Sequence, residues 1–279
     1  MESKVMTSEI VIKPKKGWVD IGLKELWLYR ELIYFFAWRE IKIRYKQTVL
    51  GALWAVLQPL IATVIFTVFF GRLAKIPSDG IPYPVFVYIG LILWNYFSFG
   101  ITHSSSSMIE NADVVQKIYF PRLIIPLSSC LVGLVDFFIS CLILVGLMLV
   151  YGYIPQLKGI IFMPFLIVIT FLSSMGIGAF LSAVNVKYRD VRYIIPFFIQ
   201  LAMFVAPVIY PASIVGERFR WILALNPMTG VIETSRSLIL GSGIINLQLL
   251  LLSCLTCIGL FILGVSYFKQ TERFFADII

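Results

Sequence analysis

The chain has 279 residues, 59% of them hydrophobic and 14% charged, with a formal net charge of +8. Soluble domains carry about 25% charged and 45–50% apolar residues, and so few charges cannot cover a soluble core of this length; the composition is that of an integral membrane protein. Ten of the 23 Lys and Arg residues precede residue 47, which marks a cytoplasmic flank beside a bilayer rather than a nucleic-acid arm, so no nucleic-acid partner is expected.

Residues 1–22 are polar and Lys-rich. They lack the short apolar run and small-residue cleavage site of a signal peptide, so they read as a cytoplasmic tail, with insertion driven by the first membrane helix. Residues 23–46 have helical spacing. At about 100° per residue, Lys24, Glu31, Arg39, Lys42 and Lys46 share one arc and Leu26, Tyr29, Ile33, Phe36 and Ala37 lie opposite, with Arg30, Glu40 and Arg44 off the pattern. This predicts an amphipathic helix lying in the cytoplasmic interface, as an anchor, a platform for a soluble partner, or both.

A bilayer core of about 30 Å takes roughly 20 apolar residues per helix. Six stretches qualify, at about 49–70, 84–105, 123–151, 159–184, 193–211 and 247–268. With the N-terminus inside, the cytoplasmic segments 1–48, 103–122, 185–192 and 269–279 hold 17 of the 23 Lys and Arg residues. The excess of basic residues on that side predicts a multi-pass protein with both termini in the cytoplasm. The expected fold is all-α, one membrane domain over 23–279.

The loops differ in character. Between the second and third spans, MIENADVVQKIYF at 108–120 has helical spacing: Met108, Val114 or Val115, and Ile118 with Tyr119 can share a side, and Pro121 stops the helix. A short helix held between two spans is a lever, because a partner that pushes it moves both; the plainer reading is a connector. The charged loop NVKYRDVRY at 185–193 offers a second cytoplasmic contact. Between the fifth and sixth spans, two apolar pieces at 219–225 and 228–240 are each too short to cross. Asn226-Pro227 separates them, since Pro disfavours helix in the residue before it, and Gly241-Ser242-Gly243 ends the second. Two half-helices re-entering the outer leaflet fit this pattern, as does a loop folded over the outer surface. Irregular backbone at that depth must be buried or line a wet passage.

Catalytic chemistry is sparse. There is no Gly-Lys dipeptide and hence no Walker A phosphate loop. The single histidine, His103, cannot assemble a His-based metal site, and neither HExxH nor GxSxG occurs. The CxxC of Cys254 and Cys257 lies in an apolar stretch without a second pair and reads as packing. Asp136 is the only acid within the six stretches. An ionisable group there is a functional candidate by default, but it can equally be bonded to Ser140 or to another helix, and one acid makes a thin relay for an ion-driven carrier. Aromatics make up 15% of the chain. Most serve as interface anchors or packing; an aromatic path also suits the C–H faces of sugar rings.

Five stretches carry a family resemblance: RYKQTVLGALWAVLQPL at 44–60, NADVVQKIYFPRLIIPLSS at 111–129, NVKYRDVRY at 185–193, APVIYP at 206–211 and NPMTGVIETSRSLILG at 226–241. In this order they resemble the membrane (permease) subunit of ABC type 2 polysaccharide exporters, the family that exports O-antigen, capsule and teichoic acid polymers. The resemblance implies a half-transporter in a bacterial inner membrane that pairs as a homodimer and binds two copies of a separate ABC ATPase. ATP and Mg belong to that partner, and this chain binds no cofactor and is not itself an enzyme. Glu110, Asp113, Val114, Val115, Gln116 and Lys117 would form the coupling helix, with Lys187, Arg189 and Asp190 as a second contact. Arg39, Lys42, Arg44 and Lys46 would attract the diphosphate of a lipid-linked polysaccharide. Phe66, Phe69, Phe197, Phe198 and Phe204 would line the channel, and Asn226, Pro227, Met228, Glu233 and Arg236 would form the outer gate. O-antigen is the first choice of polymer. Teichoic acid or capsule export, or an ABC type 2 exporter of a small lipid or drug, are the alternatives; an ion-driven carrier and a membrane glycosyltransferase fit less well.

Overall fold

The structure, a computed structural model, describes residues 22–46, 51–188, 190–241 and 245–275. Among these residues the regular structure is helical throughout. Leu23–Leu28 (α1) and Arg30–Lys46 (α2) precede Gly51–Phe66 (α3), which runs on as a π-helical turn over Thr67–Leu73. Tyr83–Glu110 (α4), Ala112–Lys117 (α5), Ile124–Val150 (α6), Leu157–Lys187 (α7) and Val191–Val205 (α8) follow. The chain closes with Glu217–Ala224 (α9), Met228–Leu240 (α10) and Leu247–Thr271 (α11).

Among the described residues five helices are long and apolar enough to cross a membrane: Leu53–Leu73, Tyr83–Glu110, Ile124–Val150, Leu157–Lys187 and Leu247–Phe274. The stretch expected at 193–211 behaves differently. It yields α8, whose 15 residues give about 22 Å of helix, less than the thickness of a hydrocarbon core. Residues 206–211 leave the helix as turns. Two prolines fall there, Pro207 and Pro211, and the carbonyls of Pro207 and Val208 are taken by a side chain from α10.

α4 is the centre. Of its most apolar stretch 78% is buried, against 11% for the α3 span. It packs on α6, α7, α10, α8 and α3. Pro82 precedes it and Pro84 sits in its first turn, where a missing N–H is harmless. Between apolar helices in lipid, small residues allow close approach. A Cβ on Gly264 of α11 would lie 1.9 Å from the Gly176 carbonyl oxygen of α7, and one on Gly230 of α10 would lie 2.5 Å from the Leu249 carbonyl oxygen. Some hydroxyls inside the bundle return to their own helix backbone, as Thr170 does to the Leu166 carbonyl at 2.9 Å, and others cross between helices, as Ser104 of α4 does to the Pro126 carbonyl of α6 at 2.8 Å.

A second apolar cluster lies at one end of the bundle. Leu26 and Phe36, Val115 and Phe120, and Phe268 and Phe275 meet in it. It joins α1 and α2, α5, and the end of α11 into one layer beneath the long helices.

Candidate coupling surface and outer cap

α5 is six residues long and is set by its two ends. Asn111 breaks α4: its Nδ2 donates to the Ser107 carbonyl at 2.8 Å, and its Oδ1 accepts from the Arg39 guanidinium of α2. After Lys117 the backbone turns extended at Ile118. Val115 is buried in the end cluster, and Phe120 packs against Phe36 at 5.7 Å between ring centroids. Val114 is half-buried. Glu110, Asp113, Gln116 and Lys117 point outward, and Ile118 and Tyr119 are 61% and 68% exposed. The segment therefore has one face keyed into α2 and α4 and another that is charged, partly apolar and open. Ser106 donates to Glu110 at 2.6 Å, which fixes one of the outward carboxylates.

The second expected contact lies at the same end of α4. Asn185 donates to the Ser105 carbonyl at 3.0 Å, beyond which Lys187 and Asp190 are exposed. Arg189 lies outside the described residues.

The four basic residues of α2 divide. Lys42 and Lys46 are exposed. Arg39 is tied to Asn111 and stands over the Phe36 ring at 5.1 Å. Arg44 pairs with Asp136 of α6 at 2.6 Å and lies over Phe99 of α4 at 4.6 Å. Asp136 also accepts from the Tyr45 hydroxyl, so the lone acid of the spans is bonded to another helix. Glu40 is the further link, accepting from Ser129 at 2.8 Å. Burial pushes its carboxyl above the usual carboxylate range, against the pull of Ser129 and Arg39. Glu40 and Tyr45 were missed as functional candidates; their only signal was that they spoil or flank the polar arc of α2.

The five phenylalanines sit on two helices that flank α4. Phe69, Phe197, Phe198 and Phe204 are exposed, whereas Phe66 is half-buried and packs on Phe70 at 5.7 Å. The residues expected at the outer gate are largely internal. Pro227 and Met228 are buried, and the Asn226 side chain accepts from the Met228 N–H at 3.0 Å. Arg236 is 3% exposed. Its guanidinium donates to the carbonyls of Phe86 (3.1 Å), Pro207 (2.6 Å) and Val208 (2.6 Å) and pairs with Glu233 at 3.3 Å. Glu233 in turn accepts from the Ala212 N–H at 3.1 Å. Burial pulls the guanidinium below its ordinary value, and Glu233 opposes the shift. This cluster locks α10 to α4 and to residues 206–212. The exposed part of the cap is α9, where Phe219 and Trp221 are 57% and 60% exposed.

A bundle of long apolar helices with a keyed terminal layer and a short, outward-facing connector helix is the architecture of a multi-pass membrane domain. Residues 31–240 match the ABC-2 type transporter family, and the chain belongs to it. It is 30% identical over 249 residues to an O-antigen export system permease protein RfbA of Klebsiella pneumoniae, covering 89% of this chain and 95% of the relative. It is 27% identical over 260 residues to the Myxococcus xanthus protein of the same name, covering 92% and 98%. Against the polysialic acid transport protein KpsM of Escherichia coli it is 26% identical over 243 residues, covering 84% and 91%.

Proposed function

We propose that the chain is the membrane subunit of an ATP-driven exporter that moves lipid-linked polysaccharide out of the cytoplasm, with O-antigen as the first choice of polymer. The observation that carries this reading is end-to-end similarity to permeases named for polysaccharide export, in a chain without a Walker A loop of its own.

In this reading two copies of the chain pair in a bacterial inner membrane, with both termini in the cytoplasm. α8 with residues 206–211 makes a sixth crossing, and α9 and α10 are re-entrant in the outer leaflet. α1 and α2 lie in the cytoplasmic interface. ATP and Mg act on two copies of a partner ATPase, which pushes on the exposed face of α5 and on the 187–190 loop. The keyed face of α5 passes that push to α4, α2 and α6. Lys42 and Lys46 are the α2 cations best placed to meet a lipid diphosphate, with Arg39 and Arg44 holding the helix in place. The open aromatic faces of α3 and α8 form the path between copies, and the cap closes its outer end.

The test is reconstitution. The chain is purified from its host with whatever ATPase accompanies it, placed in proteoliposomes with the host's lipid-linked polymer, and given ATP. ATP-dependent movement of the polymer to the opposite side is expected. An ATPase complex that moves only a small lipid would replace the polymer reading.

A further inference from the structure

A half-open cavity of about 330 Å³ lies between α2, α3, α4 and α6. Gln58 of α3 and Asn95, Ser98 and Thr102 of α4 line it. The last three recur at i, i+3 and i+7 and so share one helix face. Among the described residues none of these four side chains has a hydrogen-bond partner. Gln58 is exposed and Asn95, Ser98 and Thr102 are half-buried, so all four open onto the cavity and can bond a polar occupant.

The chemistry of the wall narrows what that occupant is. The charges at its end cancel: Arg44 is paired with Asp136, which also holds Tyr45. Neither an anion nor a cation finds an unopposed partner there. What remains is the carboxamides of Gln58 and Asn95 and the hydroxyls of Tyr96, Ser98, Thr102 and Ser140, each able to donate and to accept. The Phe99 ring is already covered by His103, at 4.0 Å, and by Arg44. Trp54, at the rim, is 53% exposed and has no ring partner among the described residues. Planar amides beside an open indole suit a molecule with vicinal hydroxyls around its edge and C–H groups on its face. The volume lies at the small end of ligand pockets, room for one such ring and a few waters.

We propose that this cavity is a subsite within one subunit for a single neutral sugar unit, held by Gln58 and Asn95 and stacked on Trp54. It rests on the polysaccharide-export reading and adds a place where the glycan is gripped apart from the path between copies. The subsite adjoins the end of α2, so release of the Arg44–Asp136 pair would open it.

The test uses the full complex in its host. A strain lacking the chain is complemented with a variant carrying a photo-crosslinking phenylalanine in place of Ala55, which lines the cavity, or in place of Phe137, which also lines it, if the first does not restore export. Irradiation should give an adduct that reacts with an antibody to the surface polymer. In the same cells Asn95→Leu with Gln58→Leu should lower both the adduct and the export rate about tenfold, the equivalent of one or two lost hydrogen bonds, at unchanged membrane level. Adducts only to lipid or to a second copy overturn the proposal, as does no adduct from a variant that exports. Unchanged export in the double leucine variant also overturns it, because apolar side chains then fill a void that held nothing. Surface polymer unaffected by loss of the chain would instead remove the export reading itself.

Discussion

Arg236 shows how a charge that looks like part of a gate becomes a fastener. Its planar fork satisfies three carbonyls from two other segments, and Glu233 neutralises it. Removing it leaves three acceptors and a carboxylate without their partner, so Arg236→Ala should lower stability by about 3–5 kcal/mol. Arg236→Lys should recover only part of this, because an ammonium cannot match the fork. Thermal unfolding in detergent measures both, and an unchanged midpoint for Arg236→Ala would contradict the assignment. Glu40 carries the opposite balance. Its carboxyl is raised from an ordinary value of 4.5 by burial, so the folded state binds its proton more tightly than the unfolded state. Stability should then fall as pH rises from about 4.5 through the raised value. Glu40→Gln retains an acceptor for Ser129 and should flatten that part of the profile, read as the unfolding midpoint between pH 4 and 7.

At the scale of elements, α5 separates two roles on one short helix. Val115 keys it to the bundle, while Glu110, Asp113, Gln116 and Lys117 face outward. Reversing the charges, Glu110→Lys with Lys117→Glu, should reduce surface polymer several-fold while the protein reaches the membrane at its normal level, as shown by immunoblotting of membranes and of surface polymer. Normal export in that variant would remove α5 from the coupling path. The contact of α7 with α11 makes a packing prediction. At Gly264 any side chain runs into the backbone of Gly176, so Gly264→Leu should cost about 1–3 kcal/mol through overpacking, and unchanged thermal stability would show that the helices can part freely. The apolar helices α4, α6, α7 and α11 were legible in the sequence from their apolar runs, although α4 continues to Glu110 and α7 to Lys187, past the expected ends at 105 and 184. The end of α8 was signalled by Pro207, which disfavours helix at Ala206, although the expected span ran through it to 211; what the sequence did not show is that Arg236, 28 and 29 residues further on, takes the freed carbonyls. The π-helical turn was not legible either: it ends where Gly71 meets the Tyr83 ring, a contact that local periodicity does not reveal. A helix was readable within 108–120, but the structure gives 108–110 to α4, breaks at Asn111 and ends α5 at Lys117, before Pro121; the break at Asn226-Pro227 was readable because proline acts locally.

Across the whole molecule, α4 is the fixed centre, the end cluster ties α1, α2, α5 and the close of α11 together, and Trp54 and Phe69 of the first span and Phe197, Phe198 and Phe204 of α8 face outward. The family was recoverable from ordered stretches spread over the chain. The burden borne by single residues was not: Arg39 and Arg44 read as a cationic patch, and the structure spends them on Asn111 and Asp136. The most direct measurement deletes the chain in its host and quantifies lipid-linked polysaccharide on the cytoplasmic face of the inner membrane. Long polymer accumulating there while it disappears from the surface is the predicted result. Unchanged glycan on both faces would contradict polysaccharide export and leave an ABC-2 exporter of a small molecule in its place.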